Sequence, residues 1–289
     1  MPFSRVSILG CGLIGGSFAL GLKASGFKGE IVGWDKEDVL PRARQTGAID
    51  HGTTDVKEAV AGADLVYLAT PVTLILELLP VVGREARPGA LITDAGSTKA
   101  RICRLAREAV REGVFFLGGH PMAGKEASGI DNAEAKLFDG AKYVVIQEAE
   151  EAKEANDAKK EFFDWVRRLG AEPVTMDAET HDWAVALVSQ APQLLSTALA
   201  SVVWDETDED GLPLSLAGGG FRDMTRLAGS PYDLWRDICL TNSENIGRAL
   251  ERLAQRLERL RTLLRSKELE EEFEKARQTY ETLRRDRRS

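Results

Sequence analysis

Several features that would place a chain in a specialised class are missing from this sequence. Only three cysteines occur in 289 residues, and Cys11, Cys103 and Cys239 show neither metal-site spacing nor a disulfide framework. We expect neither a signal peptide before the first predicted strand nor an apolar run long enough to span a bilayer. A net charge of −8 argues against a general binder of nucleic acid or of an anionic membrane, since either needs a basic face. These absences predict a cytoplasmic protein, without a metal site, that acts on a small molecule.

Histidine is also scarce: the chain has only His51, His120 and His181, so each one carries weight as a candidate base. His120 follows a predicted strand over 114–117 and lies between two glycines and Pro121, a pattern that predicts a loop. Ligands of open α/β sheets bind at strand ends of this kind. A loop histidine that only hydrogen-bonds its own backbone is the commoner case. A catalytic role for His120 therefore depends on what the rest of the chain supplies.

The N-terminal segment carries the glycine pattern of a dinucleotide-binding loop. A predicted strand over 6–9 leads into G-x-G-x-x-G and then into an apolar helix, which is the setting this pattern requires. The first glycine permits the turn, the second lets the backbone approach a pyrophosphate, and the third lets the helix pack on the strand. We expect the N–H groups at the start of the helix to bind the phosphates. The residues expected at the cofactor are Gly10, Gly12, Leu13, Ile14 and Gly15.

Two further strand ends complete the predicted cofactor site. Asp35 ends the second predicted strand, about twenty residues after the glycine loop, where an acidic side chain accepts hydrogen bonds from the ribose of NAD. The 2′-phosphate of NADP would meet a like charge there, although three basic residues over 36–44 soften this argument. Thr70 and Pro71 leave the third predicted strand at the same edge. The pattern therefore predicts NAD in preference to NADP.

A second polar loop follows the fourth predicted strand, over 90–94. Ser97 and Thr98 in this loop are suited to cap the helix that comes next, which is the commoner role for such residues. The loop nevertheless leaves the same edge of the sheet as the predicted His120 loop. The Ser97 hydroxyl is therefore also a candidate partner that hydrogen-bonds the His120 imidazole and fixes its tautomer.

The alternation of strands and helices as far as residue 176 predicts a doubly wound, mostly parallel sheet of the Rossmann type. Over 177–289 no strand pattern is found, and apolar residues recur at helical spacing. We therefore predict an α/β domain over 1–176 and an all-helical substrate and dimerisation domain over 177–289. A leucine stripe over 246–264 favours a homodimer core, although packing within one chain explains the same stripe.

Five motifs occur in a fixed order along the chain. They are GCGLIGGS from Gly10, DAGSTK from Asp94, GGHPMAG from Gly118, the pair His181-Asp182, and GFRDMTRL from Gly220. Together they resemble the TyrA family, the prephenate and arogenate dehydrogenases of tyrosine biosynthesis. The resemblance runs from Val6 to about Asn245, and the second, third and fifth motifs in combination are specific. It implies an NAD-binding Rossmann domain followed by a helical dimerisation domain.

The resemblance also implies a reaction: prephenate is oxidised by hydride transfer to NAD and loses carbon dioxide, which gives 4-hydroxyphenylpyruvate. By resemblance, His120 is the catalytic group at the ring hydroxyl and Ser97 orients it. Arg226 matches the arginine that binds a substrate carboxylate, a task suited to its bidentate guanidinium. A surface ion pair with a nearby aspartate is the alternative for Arg226.

Four more residues are assigned to the substrate site by resemblance. Glu126 and Asp182 match polar residues that gate or brace the site, and Trp235 packs over the substrate or belongs to the core. Many family members read Ser-His-Leu-Pro-His where this chain has glutamine at both histidine positions, Gln190 and Gln193. Gln193 can still donate a hydrogen bond to the substrate. Its neutral side chain favours prephenate over arogenate, which carries an amine.

Three other interpretations stay open at this point. Arogenate is an alternative substrate. A β-hydroxyacid dehydrogenase or a pyrroline carboxylate reductase would share the architecture, but the former relies on a lysine in its second domain and residues 180–204 contain none. A non-catalytic NAD-binding sensor would keep the fold without turnover. The joint presence of His120, Ser97 and Arg226 favours an enzyme.

Overall fold

The computed structural model describes residues 3–125, 127–147, 153–207 and 209–285. Its strands are β1 (Arg5–Leu9), β2 (Glu30–Trp34), β3 (His51–Thr53), β4 (Leu65–Leu68), β5 (Leu91–Asp94), β6 (Phe115–Leu117), β7 (Gly119–Pro121), β8 (Lys142–Ile146) and β9 (Glu172–Met176). Six of them form a parallel sheet in the order β3-β2-β1-β4-β5-β6. The predicted Rossmann-type sheet is confirmed.

Helices connect these strands and make up the described chain beyond Asp177. They are α1 (Leu13–Ala24), α2 (Leu40–Gln45), α3 (Val56–Val60), α4 (Val72–Glu85), α5 (Ala100–Ala109), α6 (Lys153–Arg168), α7 (Ala178–Val185), α8 (Ala191–Asp205), α9 (Gly219–Thr225), α10 (Tyr232–Thr241), α11 (Ser243–Leu263) and α12 (Leu269–Arg285). The last described strand ends at Met176, and the described residues beyond it form helices and the turns between them.

Apolar residues cover both faces of the main sheet. Every residue of β4 is buried, as expected of a central parallel strand. One apolar cluster joins β1 to α1, where the Phe18 ring stacks on Tyr67 with 4.0 Å between centroids. A second cluster on the other face includes Ile75 and Leu79 of α4. This packing fixes the carboxyl ends of the strands, where the polar loops emerge.

The segment that carries His120 is a strand and not the predicted loop. Strand β7 pairs antiparallel with β8, and β8 pairs parallel with β9, in a separate three-stranded sheet. The alternation as far as residue 176 predicted a single doubly wound sheet, so the placement of β8 and β9 in a second sheet differs from that prediction. A Cβ at Gly119 would lie 2.6 Å from the Asp94 carbonyl oxygen, and one at Gly118 would lie 2.9 Å from Cys103 Sγ. The two glycines thus allow close packing between the sheets.

Helices α7 and α8 are joined by a π-helical turn, Ala186–Gln190, so that residues 178–205 are continuously helical. Pro192 lies at the start of α8 and has no N–H to donate into the preceding turn, which accounts for the local change of helix type. By length and composition alone, this helical segment could span a membrane, contrary to the expectation from the sequence. Core helices of folded domains have the same length and composition.

Contacts divide the described chain after residue 243, and the second unit consists of α11 and α12. Within this unit the buried Glu272 carboxylate accepts hydrogen bonds from Arg256 Nη1 at 2.6 and 2.8 Å, and Arg259 Nε lies 3.0 Å from it. Two residues of the predicted stripe, Leu257 and Leu264, expose 53% and 69% of their surface. The stripe is therefore incompletely buried within one chain.

Candidate active site

The glycine loop lies between β1 and α1, at the carboxyl end of the main sheet. Gly10 adopts φ +99°, a conformation that favours glycine. A Cβ at Gly15 would lie 1.9 Å from the Gly10 carbonyl oxygen, whereas one at Gly12 would meet nothing within 4 Å. The loop is therefore tightly packed on its inner side and open at Gly12, beside the first turn of α1 that includes Leu13 and Ile14. This shape fits the pyrophosphate of a dinucleotide.

Asp35 lies directly beside this loop, as the sequence predicts. Its Oδ2 accepts a hydrogen bond of 2.7 Å from the Cys11 N–H, and its Oδ1 accepts one of 2.7 Å from the Lys36 N–H. The carboxylate thus holds the loop against the end of β2. The sequence does not reveal this second task, because the contact joins two loops 24 residues apart.

Thr70 and Pro71 follow β4 on the other side of the glycine loop. A Cβ at Gly10 would lie 2.9 Å from Thr70 Cγ2, so the two loops touch. The Thr70 hydroxyl is buried and has no hydrogen-bond partner among the described residues. Pro71 is exposed and precedes the first turn of α4. The structure therefore brings the predicted cofactor residues together along one edge.

A fully buried ion pair lies between this edge and His120. Lys99 Nζ contacts Asp94 Oδ2 and donates a 2.7 Å hydrogen bond to the Gly119 carbonyl. Asp94 Oδ1 also accepts from the Gly119 N–H at 3.2 Å. Because Asp94 ends β5 and Gly119 begins β7, the pair ties the His120 strand to the main sheet.

Helix α5 is not capped by the residues that the sequence suggests. Thr98 Oγ1 pairs with Thr241 Oγ1 at 2.8 Å, and Ser97 lines the cavity described below. The cap comes from Asp182, whose two oxygens accept from the N–H groups of Lys99 and Ala100 at 2.7 and 3.0 Å. A carboxylate suits this position because the N-terminus of a helix presents unpaired N–H groups and a positive dipole end.

The same carboxylate begins a chain of three side chains that ends at the candidate base. Asp182 Oδ1 lies 2.8 Å from His181 Nδ1, and His181 Nε2 lies 2.9 Å from His120 Nδ1. His181 and Asp182 are buried to 1% exposure or less. No hydrogen bond joins Ser97 to His120 in the described part of the chain. The predicted orienting hydroxyl is thus replaced, in this structure, by a second imidazole.

The electrostatic surroundings keep the His120 imidazole neutral. Burial lowers its pKa well below the ordinary value of 6.5, and the nearby His181 and Lys99 side chains lower it further. A neutral imidazole has one nitrogen with a free lone pair, which can accept a proton or a hydrogen bond. His120 is therefore equipped to act as a base at neutral pH.

A cavity of about 370 Å³ opens beside His120. It brings together five residues of the predicted site, which are Ser97, His120, Gln193, Arg226 and Trp235. Asp182 does not line it, since this residue lies behind His181 and braces the site from there. Glu126 lies outside the described residues. The described lining includes two cations, Lys125 and Arg226, and no carboxylate, so the cavity suits an anionic ligand.

The two glutamines that replace the usual histidines make different contacts. Gln193 Nε2 donates a 2.7 Å hydrogen bond to the Leu227 carbonyl, next to Arg226, and so joins α8 to the turn that carries the arginine. Gln190 Oε1 accepts from Asn242 Nδ2 at 2.8 Å, and the same amide nitrogen donates to the Asp182 carbonyl at 2.8 Å. Gln193 therefore positions the cavity wall as well as lining it.

The role of His181 was not predicted from the sequence. A signal was present: a histidine and an aspartate are adjacent near the start of a largely apolar helical segment over 178–205, where buried polar groups need partners. What the sequence could not show is that the partner is His120, 61 residues earlier. Among the described residues no group of three or more His, Cys, Asp or Glu side chains is arranged to hold a metal ion.

Comparisons with known proteins agree with this arrangement. Two family models match: "prephenate dehydrogenase, nucleotide-binding domain" over residues 18–169 and "prephenate dehydrogenase, dimerization domain" over 177–278. A prephenate dehydrogenase of Lactococcus lactis subsp. cremoris is 38% identical over 261 residues, which are 89% of this chain and 70% of that protein.

Two solved structures extend the comparison. Prephenate dehydrogenase from A. aeolicus, in complex with hydroxyphenyl propionate and NAD+, has a TM-score of 0.90 at 30% identity, over 98% of this chain and 99% of that one. Synechocystis arogenate dehydrogenase has a TM-score of 0.77 at 30% identity, over 99% of this chain and 100% of that one. The likeness therefore extends over both the sheet and the helical part.

Proposed function

We propose that this chain, which belongs to the prephenate dehydrogenase family, catalyses the NAD-dependent oxidative decarboxylation of prephenate to 4-hydroxyphenylpyruvate, a reaction of tyrosine biosynthesis. The observation that carries the proposal is the cavity in which a neutral His120 faces two cations and no described carboxylate. Prephenate carries two carboxylates and a ring hydroxyl. The charges and the base are those that this substrate requires.

The glycine loop, the first turn of α1 and Asp35 are the residues that would hold NAD. The fit rests on the open side of Gly12, the positive φ of Gly10 and the carboxylate beside the loop. Bound NAD supplies the acceptor for the hydride that leaves the substrate ring. We propose NAD in preference to NADP because Asp35 would face the additional phosphate with a like charge.

His120 would handle the proton of the ring hydroxyl. In our proposal its free ring nitrogen accepts this proton as the carbon–oxygen bond becomes double and the hydride leaves the same carbon. Loss of carbon dioxide returns the electron pair of the broken carbon–carbon bond to the ring, which becomes aromatic. The proton then returns from His120 to the phenolate oxygen. The residue therefore ends the cycle neutral, and the step needs no other acid or base.

Arg226 would bind a substrate carboxylate through its guanidinium, as expected from the resemblance. Lys125 supplies a second cation, although its Nζ also lies 2.8 Å from Glu134 Oε2. Ser97 lies in the cavity wall on the cofactor side, and Trp235 offers an apolar surface for the ring. The gating role of Glu126 remains an expectation from the resemblance.

We also propose that the boundary near residue 176 separates an NAD-binding part from a helical part that serves as the dimer interface. Large apolar side chains of the helical part are exposed, among them Trp204 at 72% and Leu216 at 80%. Exposed apolar surface of this kind is typical of protein interfaces. A homodimer in the cytoplasm, without nucleic acid or membrane as partner, is the assembly we expect.

The neutral Gln193 side chain and the absence of a described carboxylate in the cavity wall favour prephenate over arogenate, whose amine would need an anionic partner. A Gln193→Glu variant tests this preference. It should shift the ratio of kcat/KM for arogenate to that for prephenate upward by about tenfold, the scale of one polar contact. Loss of the hydrogen bond to Leu227 should lower kcat/KM for both substrates alike, so it does not affect their ratio. An unchanged ratio would sink the specificity proposal.

The activity itself is tested with the purified full-length chain, prephenate or arogenate, and NAD or NADP. We expect NADH formation to be fastest with prephenate and NAD. Turnover of arogenate alone would overturn the choice of substrate. Binding of NAD without turnover of either substrate would support a non-catalytic sensor instead.

A further inference from the structure

The contacts within the His120–His181–Asp182 chain determine where the hydrogen on the His181 ring lies. Asp182 Oδ1 accepts from the Lys99 N–H at 2.7 Å, and Oδ2 accepts from the Ala100 N–H at 3.0 Å. Both oxygens therefore act as acceptors for backbone donors, so His181 Nδ1, 2.8 Å from Oδ1, has to carry a hydrogen. The orientation of the His181 ring is fixed by this contact.

The proton between the two imidazoles determines what His120 can do. If it lies on His120 Nδ1, His181 Nε2 accepts it and both rings are neutral. If it lies on His181 Nε2, that ring is a cation, and the neutral His120 carries its hydrogen on Nε2. The second arrangement places another positive charge near the buried Lys99 ammonium and blocks the one nitrogen of His120 that His181 does not use.

We propose that His181 and Asp182 are positioning residues that hold His120 in its Nδ1–H tautomer, which leaves Nε2 to accept the substrate proton. As a claim about catalysis it rests on the proposed function. Free histidine favours the opposite tautomer, with hydrogen on Nε2, so the protein has to impose this one. His181 does not line the cavity, so in this proposal it acts through His120.

The surroundings of the pair are suited to keep this arrangement rigid. Asp182 is held by the N-terminus of α5, and its backbone carbonyl accepts from Asn242 Nδ2 at 2.8 Å. The His181 N–H donates to the Asp177 carbonyl at 3.0 Å. Among the described residues, the charged side chains around the two rings include Lys99, which pairs with Asp94, together with Lys125, Asp182 and Arg226.

The arrangement also bears on the charged state formed during turnover. When Nε2 takes the hydroxyl proton, His120 becomes an imidazolium whose Nδ1–H donates to His181 Nε2. The Asp182 carboxylate behind His181 then stabilises this charge through the intervening ring, as the acid of a catalytic triad does for its histidine. His181 should therefore affect kcat more than KM.

A first measurement needs no substrate. The chain has three histidines, so nitrogen-15 NMR of the imidazoles in the full-length protein can be assigned with one variant for each. We expect His120 and His181 both to carry hydrogen on Nδ1 at neutral pH, with His51 as the solvent-exposed reference. A hydrogen on Nε2 of His120 would overturn the proposal whether or not the enzyme turns over prephenate.

A second measurement compares His181→Leu, His181→Gln and the matched control His51→Leu. We expect His181→Leu to lower kcat for prephenate by about 10–100-fold, with KM changed by less than about threefold. His181→Gln keeps an acceptor for His120 Nδ1–H and should recover most of the loss, whereas His51→Leu should match wild type. Equal kcat for the leucine variants at positions 181 and 51 would contradict the proposal, and so would a failure of glutamine to rescue in a folded protein.

Discussion

The cofactor edge and the catalytic cavity differ in how the sequence specifies them. At the cofactor edge the glycine loop, Asp35 and Thr70 follow three neighbouring parallel strands, and a short local pattern identifies each of them. In the cavity, by contrast, His120 depends on a partner 61 residues away, and Gln193 bonds a carbonyl 34 residues away. Local motifs thus specify where the cofactor lies, whereas long-range contacts prepare the side chains for chemistry. Substitutions in the two regions should fail in different steps.

The largest effect is expected at His120. Replacing it in His120→Asn removes the proton acceptor, so kcat for prephenate should fall by roughly 10²–10⁴-fold, the range for general acid–base groups. The affinity for NAD, measured by fluorescence titration, should stay within about twofold of wild type, because His120 lies outside the glycine loop. A loss of NAD binding would mean that the two regions are not separable.

The next effect concerns the cation of the cavity. Arg226→Ala should raise KM for prephenate by about 10–100-fold through loss of a charge-assisted pair with a carboxylate. Arg222→Ala is the matched control, since Arg222 is an exposed arginine of the preceding helix that does not line the cavity. Initial rates over a range of prephenate concentrations give both values. Equal KM values for the two variants would remove Arg226 from the substrate site.

A smaller effect, of about tenfold, is expected at the cofactor edge. Asp35→Asn keeps one oxygen for the Cys11 N–H but removes the charge, so KM for NAD should rise and the discrimination against NADP should shrink. Asp38→Asn, at an exposed neighbouring position, serves as control. KM for prephenate should not change. If cofactor preference is the same in both variants, the acidic side chain does not select NAD.

The smallest expected effect is a weak dependence of kcat/KM on pH between pH 7 and about pH 6. A base with a pKa of 6.5 would cost about threefold in kcat/KM between pH 7 and about pH 6. Because burial, His181 and Lys99 hold the pKa of His120 well below 6.5, its lone pair stays free over this range and kcat/KM should fall by less than about twofold. The decline should appear only at lower pH. A midpoint at 6.5 in the kcat/KM profile would contradict the neutral, buried imidazole.

Much of the fold followed from the sequence because alternation and glycine spacing are local. The parallel sheet, the glycine loop, the end of the strands at Met176 and the helical remainder were all predicted. The separate small sheet was not, since strand β7 has only three residues and forms by pairing with β8, whose segment begins 21 residues later. Gly118 and Gly119 leave room for Cys103 and for the Asp94 carbonyl. No local sequence pattern relates these two residues to the glycines.

The candidate site shows the same limit more sharply. Residue type and resemblance were enough to name His120, Ser97, Gln193, Arg226 and Trp235, and all five line one cavity. The partner of His120 was assigned to Ser97 because both were expected at one sheet edge. The structure places His181 there instead, since Asp182 of helix α7 binds the N-terminus of α5. The adjacent His181 and Asp182 indicate that this segment needs polar partners, but neither segment alone identifies His120 as the partner.

The central claim is that the cavity oxidises and decarboxylates prephenate with NAD. The most direct measurement follows NADH and carbon dioxide together after addition of a limiting amount of prephenate to the full-length protein and excess NAD. The account predicts one NADH and one carbon dioxide for each prephenate consumed, and none of either above background with His120→Asn on the same timescale. NADH without carbon dioxide, or no consumption of prephenate by the wild-type protein, would contradict it.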